Sequence, residues 1–168
     1  MAAASSSSKP IPLKIAPVRL RELVKLQRMF ERAVREHFAY FPQSVQRQVI
    51  REHSLVRLTK AWTDPRRVML VARSRGELAG YCIAAVPPVG PAQLFWLYVE
   101  PAHRGTNTGL SLLSRTLQQM EQLGATNIFL ATHDHRRYYE RQGFRYSHSE
   151  QQHGVDMDIL GFAVRRQT

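Results

Sequence analysis

The sequence predicts a mixed α/β (α+β) domain, one mixed central sheet flanked by helices, and three observations predict it. Short apolar runs of strand length alternate with stretches of helical spacing, in the order β-α-α-β-β-β-α-β-α-β-β. The chain has 168 residues, room for one domain at about 100–200 residues per domain. It is 43% hydrophobic and 22% charged, ordinary usage for a chain with a packed core. No internal repeat is visible.

Residues 1–11 are Ser-rich and contain proline, which suits a disordered tail ahead of a domain covering 12–168. They lack the apolar core of a secretory signal; the absence of acidic residues before Glu22 would also suit a transit peptide. Residues 13–18 form a first strand. Leu23, Leu26, Phe30 and Ala33 then mark the apolar face of a helix ending near His37. Phe38-Ala39-Tyr40-Phe41-Pro42 follows, and its proline stops helical continuation. Val45, Val49 and Ile50 share a face of a second helix, from about 44 to 53 or further, before Asp64-Pro65 closes the region.

The apolar runs 68–72 and 78–86, joined through Ser74-Arg75-Gly76, read as a hairpin. After the proline-rich loop 87–91, the aromatic and aliphatic run 93–99 reads as a buried strand. Leu110, Leu113, Leu117 and Met120 return to helical spacing, with Gly124 where a left-handed cap is wanted. A strand at 127–132, a short helix at 135–142 stopped by Gly143, and strands at 144–147 and 155–164 complete the domain.

Twenty-four Lys and Arg against thirteen Asp and Glu give a net charge of +11. That excess favours a polyanionic partner, whether nucleic acid, an acidic membrane face or a phosphate-rich cofactor, and the even spread of the charges does not choose among them. The one cysteine, Cys82, excludes an internal disulfide framework and a cysteine-based zinc cluster, and reads as a small core residue. No apolar run reaches the ~20 residues a membrane helix needs, so a cytoplasmic protein is the expectation.

The segment Val99-Glu100-Pro101-Ala102-His103-Arg104-Gly105-Thr106-Asn107-Thr108-Gly109 lies between a strand and a helix. Glycine and asparagine let successive backbone N–H groups point into one concavity, and the helix that follows offers its unsatisfied N–H groups and positive dipole end to a phosphate. Arg104 adds a fixed positive charge. The same pattern also describes a loop that opens a helix without any ligand. Two other phosphate motifs are excluded: no Gly-Lys-Ser/Thr ending is present, and no Gly-x-Gly-x-x-Gly within a βαβ unit.

On these residues the chain resembles the GNAT superfamily of acetyl-CoA-dependent N-acetyltransferases. Its pyrophosphate loop reads Gln/Arg-x-x-Gly-x-Gly/Ala after a strand ending Val-x-Pro. Val99-Glu100-Pro101 and Arg104-Gly105-Thr106-Asn107-Thr108-Gly109 fit that frame, with Asn107 in place of the first motif glycine. Asparagine is the non-glycine residue best able to enter the left-handed region. Tyr138-Tyr139-Glu140-Arg141-Gln142-Gly143-Phe144 resembles the family's Tyr-x-x-x-Gly-Phe signature. The two motifs stand in the family's order, with matching elements across about residues 12–164.

The resemblance implies an acyltransferase moving an acetyl group from acetyl-CoA to a primary amine by direct attack through a tetrahedral intermediate, without a metal. Strands 93–99 and 127–132 would splay apart around the pantetheine arm, with backbone around Val99 donating to the thioester oxygen and residues 104–109 holding the pyrophosphate. Thr132 falls where many relatives carry an asparagine that bonds the pantetheine. Tyr139, four residues before Gly143, matches the family's acid, and on a helix its neighbour Tyr138 would face elsewhere. The base is less determined: strand 93–99 lacks the glutamate that some relatives use, and His133, in the cluster His133-Asp134-His135, could relay the proton through water. The same cluster also reads as a solvated loop or helix cap.

The acceptor would be a small molecule, a peptide, or a protein N-terminus or lysine, met near Phe38, Tyr40 and Phe41, with Trp62 a further candidate. A surface this basic would disfavour cationic polyamines and aminoglycosides and tolerate acidic peptides or a neutral N-terminus. A monomer and a homodimer are both compatible with the sequence. Two other functions also fit: a non-catalytic basic module binding RNA, the ribosome or an acidic protein surface, and an acyltransferase using longer acyl-CoA or transferring to a hydroxyl.

Overall fold

In the computed structural model, which describes residues 13–164, seven strands form a single sheet. They are β1 (Leu13–Pro17), β2 (Arg67–Ser74), β3 (Glu77–Ala85), β4 (Ala92–Val99), β5 (Asn127–Thr132), β6 (Arg145–Gln152) and β7 (Val155–Ala163), in spatial order β1-β2-β3-β4-β5-β7-β6. Every neighbouring pair is antiparallel except β4–β5. The helices are α1 (Leu23–His37), α2 (Gln43–Glu52), α3 (Leu55–Thr63), α4 (Thr108–Gln122) and α5 (Arg136–Arg141). The expected tail 1–11 lies outside the described residues. Among those described, no helix is long and apolar enough to cross a membrane.

The sheet separates two cores, which is why β2 reads as an unbroken apolar run rather than an alternation. Val68, Leu70 and Ala72 point to one side, where Leu112, Leu113 and Met120 of α4 pack with Cys82, Ile128 and Leu160. Met69 and Val71 point to the other, against Leu23, Leu26, Phe30, Ala33 and Val34 of α1 and Tyr81 of β3. Burying each such Leu or Phe contributes roughly 1.5–3 kcal/mol. A β-carbon on Gly80 would stand 2.5 Å from the Tyr98 carbonyl oxygen, so β3 and β4 approach as they do only because that position is glycine.

At the edge of the α1 core, Glu22 receives a bidentate ion pair from Arg73, with Nε–Oε1 at 2.7 Å and Nη2–Oε2 at 2.5 Å. The Arg19 N–H also donates to this carboxylate, at 2.8 Å. The Arg73 hydrogen bonds outweigh burial and lower the Glu22 carboxyl from its ordinary 4.5 to about 2.

Two elements depart from the sequence reading. The second helix ends at Glu52 and a separate α3 follows, because the chain turns at His53 and Ser54. The His53 ring stacks on Phe30 at 4.0 Å, and its Nδ1–H donates to the Val49 carbonyl. Only Leu58 of α3 is fully buried, with Ala61 packed beside it on the α1 core, so a short helix follows the second one directly after two turn residues. The strand expected at 144–147 runs instead as Arg145–Gln152, paired along its length with β7. It is a solvated edge strand, and its polar sequence has no period of two.

The opening in the sheet arises in β4. Ile83 faces Trp96 but Ala84 faces Leu94, so Phe95 is an extra residue, a bulge that bends the strand. β4 and β5 pair only at Ala92–Ile128 and Gln93–Phe129. Beyond those two pairs the strands separate, and a cleft of about 1140 Å³ lies between them.

Candidate active site

One end of the cleft is built from backbone. After β4 a short 3-10 turn, Pro101–His103, leads through Gly105 (φ 74°) and Asn107 (φ 61°, ψ 8°) into α4. Asn107 thus occupies the left-handed conformation its residue type allows, and its carbonyl accepts the first bond of the helix from Ser111 at 2.9 Å. Thr106 ties the bend together, donating its hydroxyl to the His103 carbonyl and lying 2.8 Å from the Thr108 hydroxyl. Among the described residues, none of the N–H groups from Gly105 to Leu110 makes a well-formed bond to a protein acceptor. Those donors, at the positive end of a fifteen-residue helix, suit an anion.

The orientation of β4 follows from one bond. The Glu100 N–H donates to Ala79 of β3, so the N–H and carbonyl of Val99 turn to the opposite edge, facing the cleft. Arg104 lies along that edge, its Nε–H donating to the Val99 carbonyl at 3.0 Å and an Nη2–H to His37 Nε2 at 3.2 Å.

Helix α5 brings two phenols to the cleft wall. Both Tyr138 and Tyr139 line it, their rings edge to face at 5.1 Å. Tyr138 does not face elsewhere: its hydroxyl is buried without a partner, 3.2 Å from where a β-carbon on Gly109 would stand, against the first turn of α4. Burial raises its phenol, and Arg141 pulls it part of the way back. Tyr139 packs edge on to Phe144, and burial pushes its phenol far above the ordinary 10, so it keeps its proton at neutral pH.

The other end is assembled from side chains of separate segments. Phe38, Tyr40 and Phe41, between α1 and α2, line it together with Trp96, and Phe38 meets Trp96 edge on at 5.3 Å. Burial, then the nearby Asp134, raises the Tyr40 phenol to about 12. Tyr40 stacks on His133 at 4.4 Å. His133 itself stands behind this wall rather than in the lining; its Nδ1–H donates to the Asp156 carbonyl at 2.9 Å, which leaves Nε2 with the lone pair. Asp134 and His135, in contact with each other, do line the cleft, as does Thr132, whose hydroxyl accepts from the His135 N–H at 3.2 Å.

Of the residues the sequence pointed to, Val99, Arg104, Gly105, Asn107, Thr108, Gly109, Thr132 and Tyr139 come together around the cleft. Thr106 shapes the bend without lining it. Trp62 stays outside, its Nε1–H donating to the Val18 carbonyl. Sequence reasoning missed Tyr138, Arg141, His37 and the β6 residues His148, Glu150 and Gln152, which reach the cleft from a strand with no apolar pattern. Among the described residues no three His, Cys, Asp or Glu side chains are grouped to hold a metal ion.

This fold and parted sheet are those of an acyltransferase, and the comparisons agree. Residues 26–144 match the Acetyltransferase (GNAT) family. An uncharacterised N-acetyltransferase of Schizosaccharomyces pombe is 30% identical over 128 residues, 75% of this chain and 76% of its own. An uncharacterised N-acetyltransferase of Mycobacterium tuberculosis is 28% identical over 111 residues, 64% of this chain and 71% of its own. The PaiA N-acetyltransferase from Thermoplasma acidophilum, solved in complex with coenzyme A, superposes with a TM-score of 0.77 at 18% identity, over 92% of this chain and all of that one. The chain belongs to the GNAT acetyltransferase family.

Proposed function

We propose that this chain transfers an acetyl group from acetyl-CoA to the primary amine of an acceptor by direct attack. The observation that carries the proposal is the parted β4–β5 pair, with unbonded N–H groups at one end and the Tyr139 phenol on its wall. The bound thioester supplies an activated carbonyl and a thiolate leaving group. The N–H groups from Gly105 to Leu110 hold the diphosphate at the start of α4, with Arg104 and Arg141 adding charge. The edge of β4 from Leu94 to Val99, freed from β5, takes the pantetheine arm as an added strand.

The Val99 N–H donates to the carbonyl oxygen as negative charge grows there. Tyr139, kept protonated by burial, gives its proton to the departing sulfur. An acceptor amine of pKa about 10.4 must lose a proton before it attacks. His133, with Nε2 free, takes that proton through solvent. Thr132 supports the wall beside it.

Two measurements on the purified chain test this. Acetyl-CoA should raise the melting temperature progressively with concentration, by mass action. Free thiol should be released from acetyl-CoA in proportion to added amine. A melting temperature that stays fixed at millimolar acetyl-CoA would overturn the proposal.

A further inference from the structure

Along the sequence the basic residues are spread, and the fold gathers them. Residues 19–63, which run through α1, α2 and α3 over one face of the sheet, carry ten Lys and Arg against four Asp and Glu. More than half of the net charge of +11 therefore sits on about a quarter of the chain. On the opposite face α4 carries one arginine, Arg115, and one glutamate, Glu121. One helical layer is strongly positive and the other is neutral.

Within the positive layer the charge is ordered. Arg21, in the 3-10 turn Leu20–Glu22 that opens α1, is followed by Lys25, Arg28, Arg32 and Arg35, at steps of four, three, four and three. All five are exposed. At 3.6 residues per turn they share an arc of about 80°, opposite the buried Leu26, Phe30 and Ala33, and no other residue of 21–37 falls in it. Like charges one turn apart destabilise a helix, so the stripe does not serve the stability of the fold.

Two of the five are neutralised from other segments: Glu77 meets Lys25 at 3.0 Å, and Glu100 meets Arg32 at 2.5 Å. Among the described residues, Arg21, Arg28 and Arg35 form no ion pair. These three stand two turns apart, about 10 Å along the axis. Arg28 borders a hollow of about 380 Å³ together with Lys25, Arg32 and His103. His103 lines the β4–β5 cleft as well, so the stripe runs up to the site.

We propose that this face of α1 binds the phosphate backbone of a nucleic-acid strand, RNA or single-stranded DNA, through Arg21, Arg28 and Arg35. The inference stands apart from the acetyl-transfer reading. A guanidinium fork fits phosphate oxygens. A strand repeats its charge at every nucleotide and so meets arginines spaced along a line, whereas carboxylates on a folded protein keep no such repeat. A lipid surface fits less well: a helix lying on a membrane turns its apolar side to the lipid, and the apolar side of α1 is buried in the core. Leu20 and Val24 are exposed beside the arc, which makes anionic vesicles the sharpest control.

The test is fluorescence anisotropy of the full chain with labelled oligouridylate and oligothymidylate of about twenty nucleotides, at about 50 and about 200 mM salt. Both should bind, with affinities within about threefold, because phosphate contacts carry no sequence information. Both should weaken by about twentyfold across that range, the salt dependence of three phosphate contacts. Arg28→Gln should reduce the salt slope by about a third. The triple variant Arg21→Gln, Arg28→Gln, Arg35→Gln should remove most of the binding, and Arg115→Gln on α4 should change nothing. Melting temperatures matching the parent's report that the variants fold. No binding at the lower salt, binding that survives the triple variant, or a salt slope indifferent to Arg28→Gln overturns the proposal. So does a preference of about tenfold for either strand, which would place the contact on base or sugar. Displacement of oligouridylate by an equal charge of polyglutamate or of phosphatidylserine vesicles overturns it in favour of an acidic protein or a membrane.

Discussion

The two ends of the cleft are made of different material. The end proposed to hold the phosphates is main chain from one continuous segment, residues 99–110, positioned by Gly105, Asn107 and the start of α4. The end proposed to meet the acceptor is side chains from four segments distant in sequence, 38–41, Trp96, 132–135 and 148–152. A backbone site tolerates most side-chain changes but not a change of φ, whereas a side-chain site tolerates backbone drift but not truncation. Under the proposed function, donor and acceptor recognition can therefore vary separately.

Substitutions should separate the two ends from each other and from the frame that carries them. The largest effect belongs to neither end. Glu22→Gln leaves Arg73 buried without a counter-charge and should cost about 3 kcal/mol of stability, with both substrate KM values unchanged. Its sign with pH is fixed, because the folded carboxyl is lowered from 4.5 to about 2. The pair's contribution is complete above pH 4.5 and is lost as pH falls from there toward 2, so melting curves of the two proteins should converge over that window.

Next is Tyr139→Phe, which removes the proposed acid from the cleft wall. It should lower kcat by about 100-fold while acetyl-CoA still raises the melting temperature. Asn107→Val tests the backbone end alone. A β-branched residue at φ 61° is strained by about 1–2 kcal/mol, so acetyl-CoA should bind about tenfold more weakly, and Asn107→Gly should bind as the parent does. The smallest effect is expected from Tyr40→Ala, which should raise acceptor KM about threefold to fivefold and leave the acetyl-CoA titration alone. Any substitution that moves donor and acceptor constants together would blur the division.

The same division explains what the sequence disclosed. The bend at 104–109 was legible because residues with special φ preferences stood together between a strand and a helix, and the structure puts Asn107 at the expected left-handed angle. The other end was legible only in its aromatic cluster and the 132–135 residues, since the strand read at 144–147 stops short and nothing local in 148–152 announces that it runs on to line the cleft. Net charge was silent on the cleft for a related reason: it averages over a surface, and a cleft samples a few residues of it. Tyr138 was misjudged because α5 has only six residues and its two rings lie edge to face on one wall, so the rule that adjacent residues face apart does not govern them.

Phe95 gives the cleft an unexpectedly simple origin. Even-numbered Ala92 and Leu94 pack toward α4, but past Phe95 the odd-numbered Leu97 and Val99 take that side, while Trp96 and Tyr98 join the core of α1. The parity of the strand flips once, at the bulge. Deleting that single letter would leave each of these side chains on its present side and return the strand to an unbroken alternation. A bent strand and a straight one thus differ here by one amino acid, placed where the β4 edge stops pairing with β5.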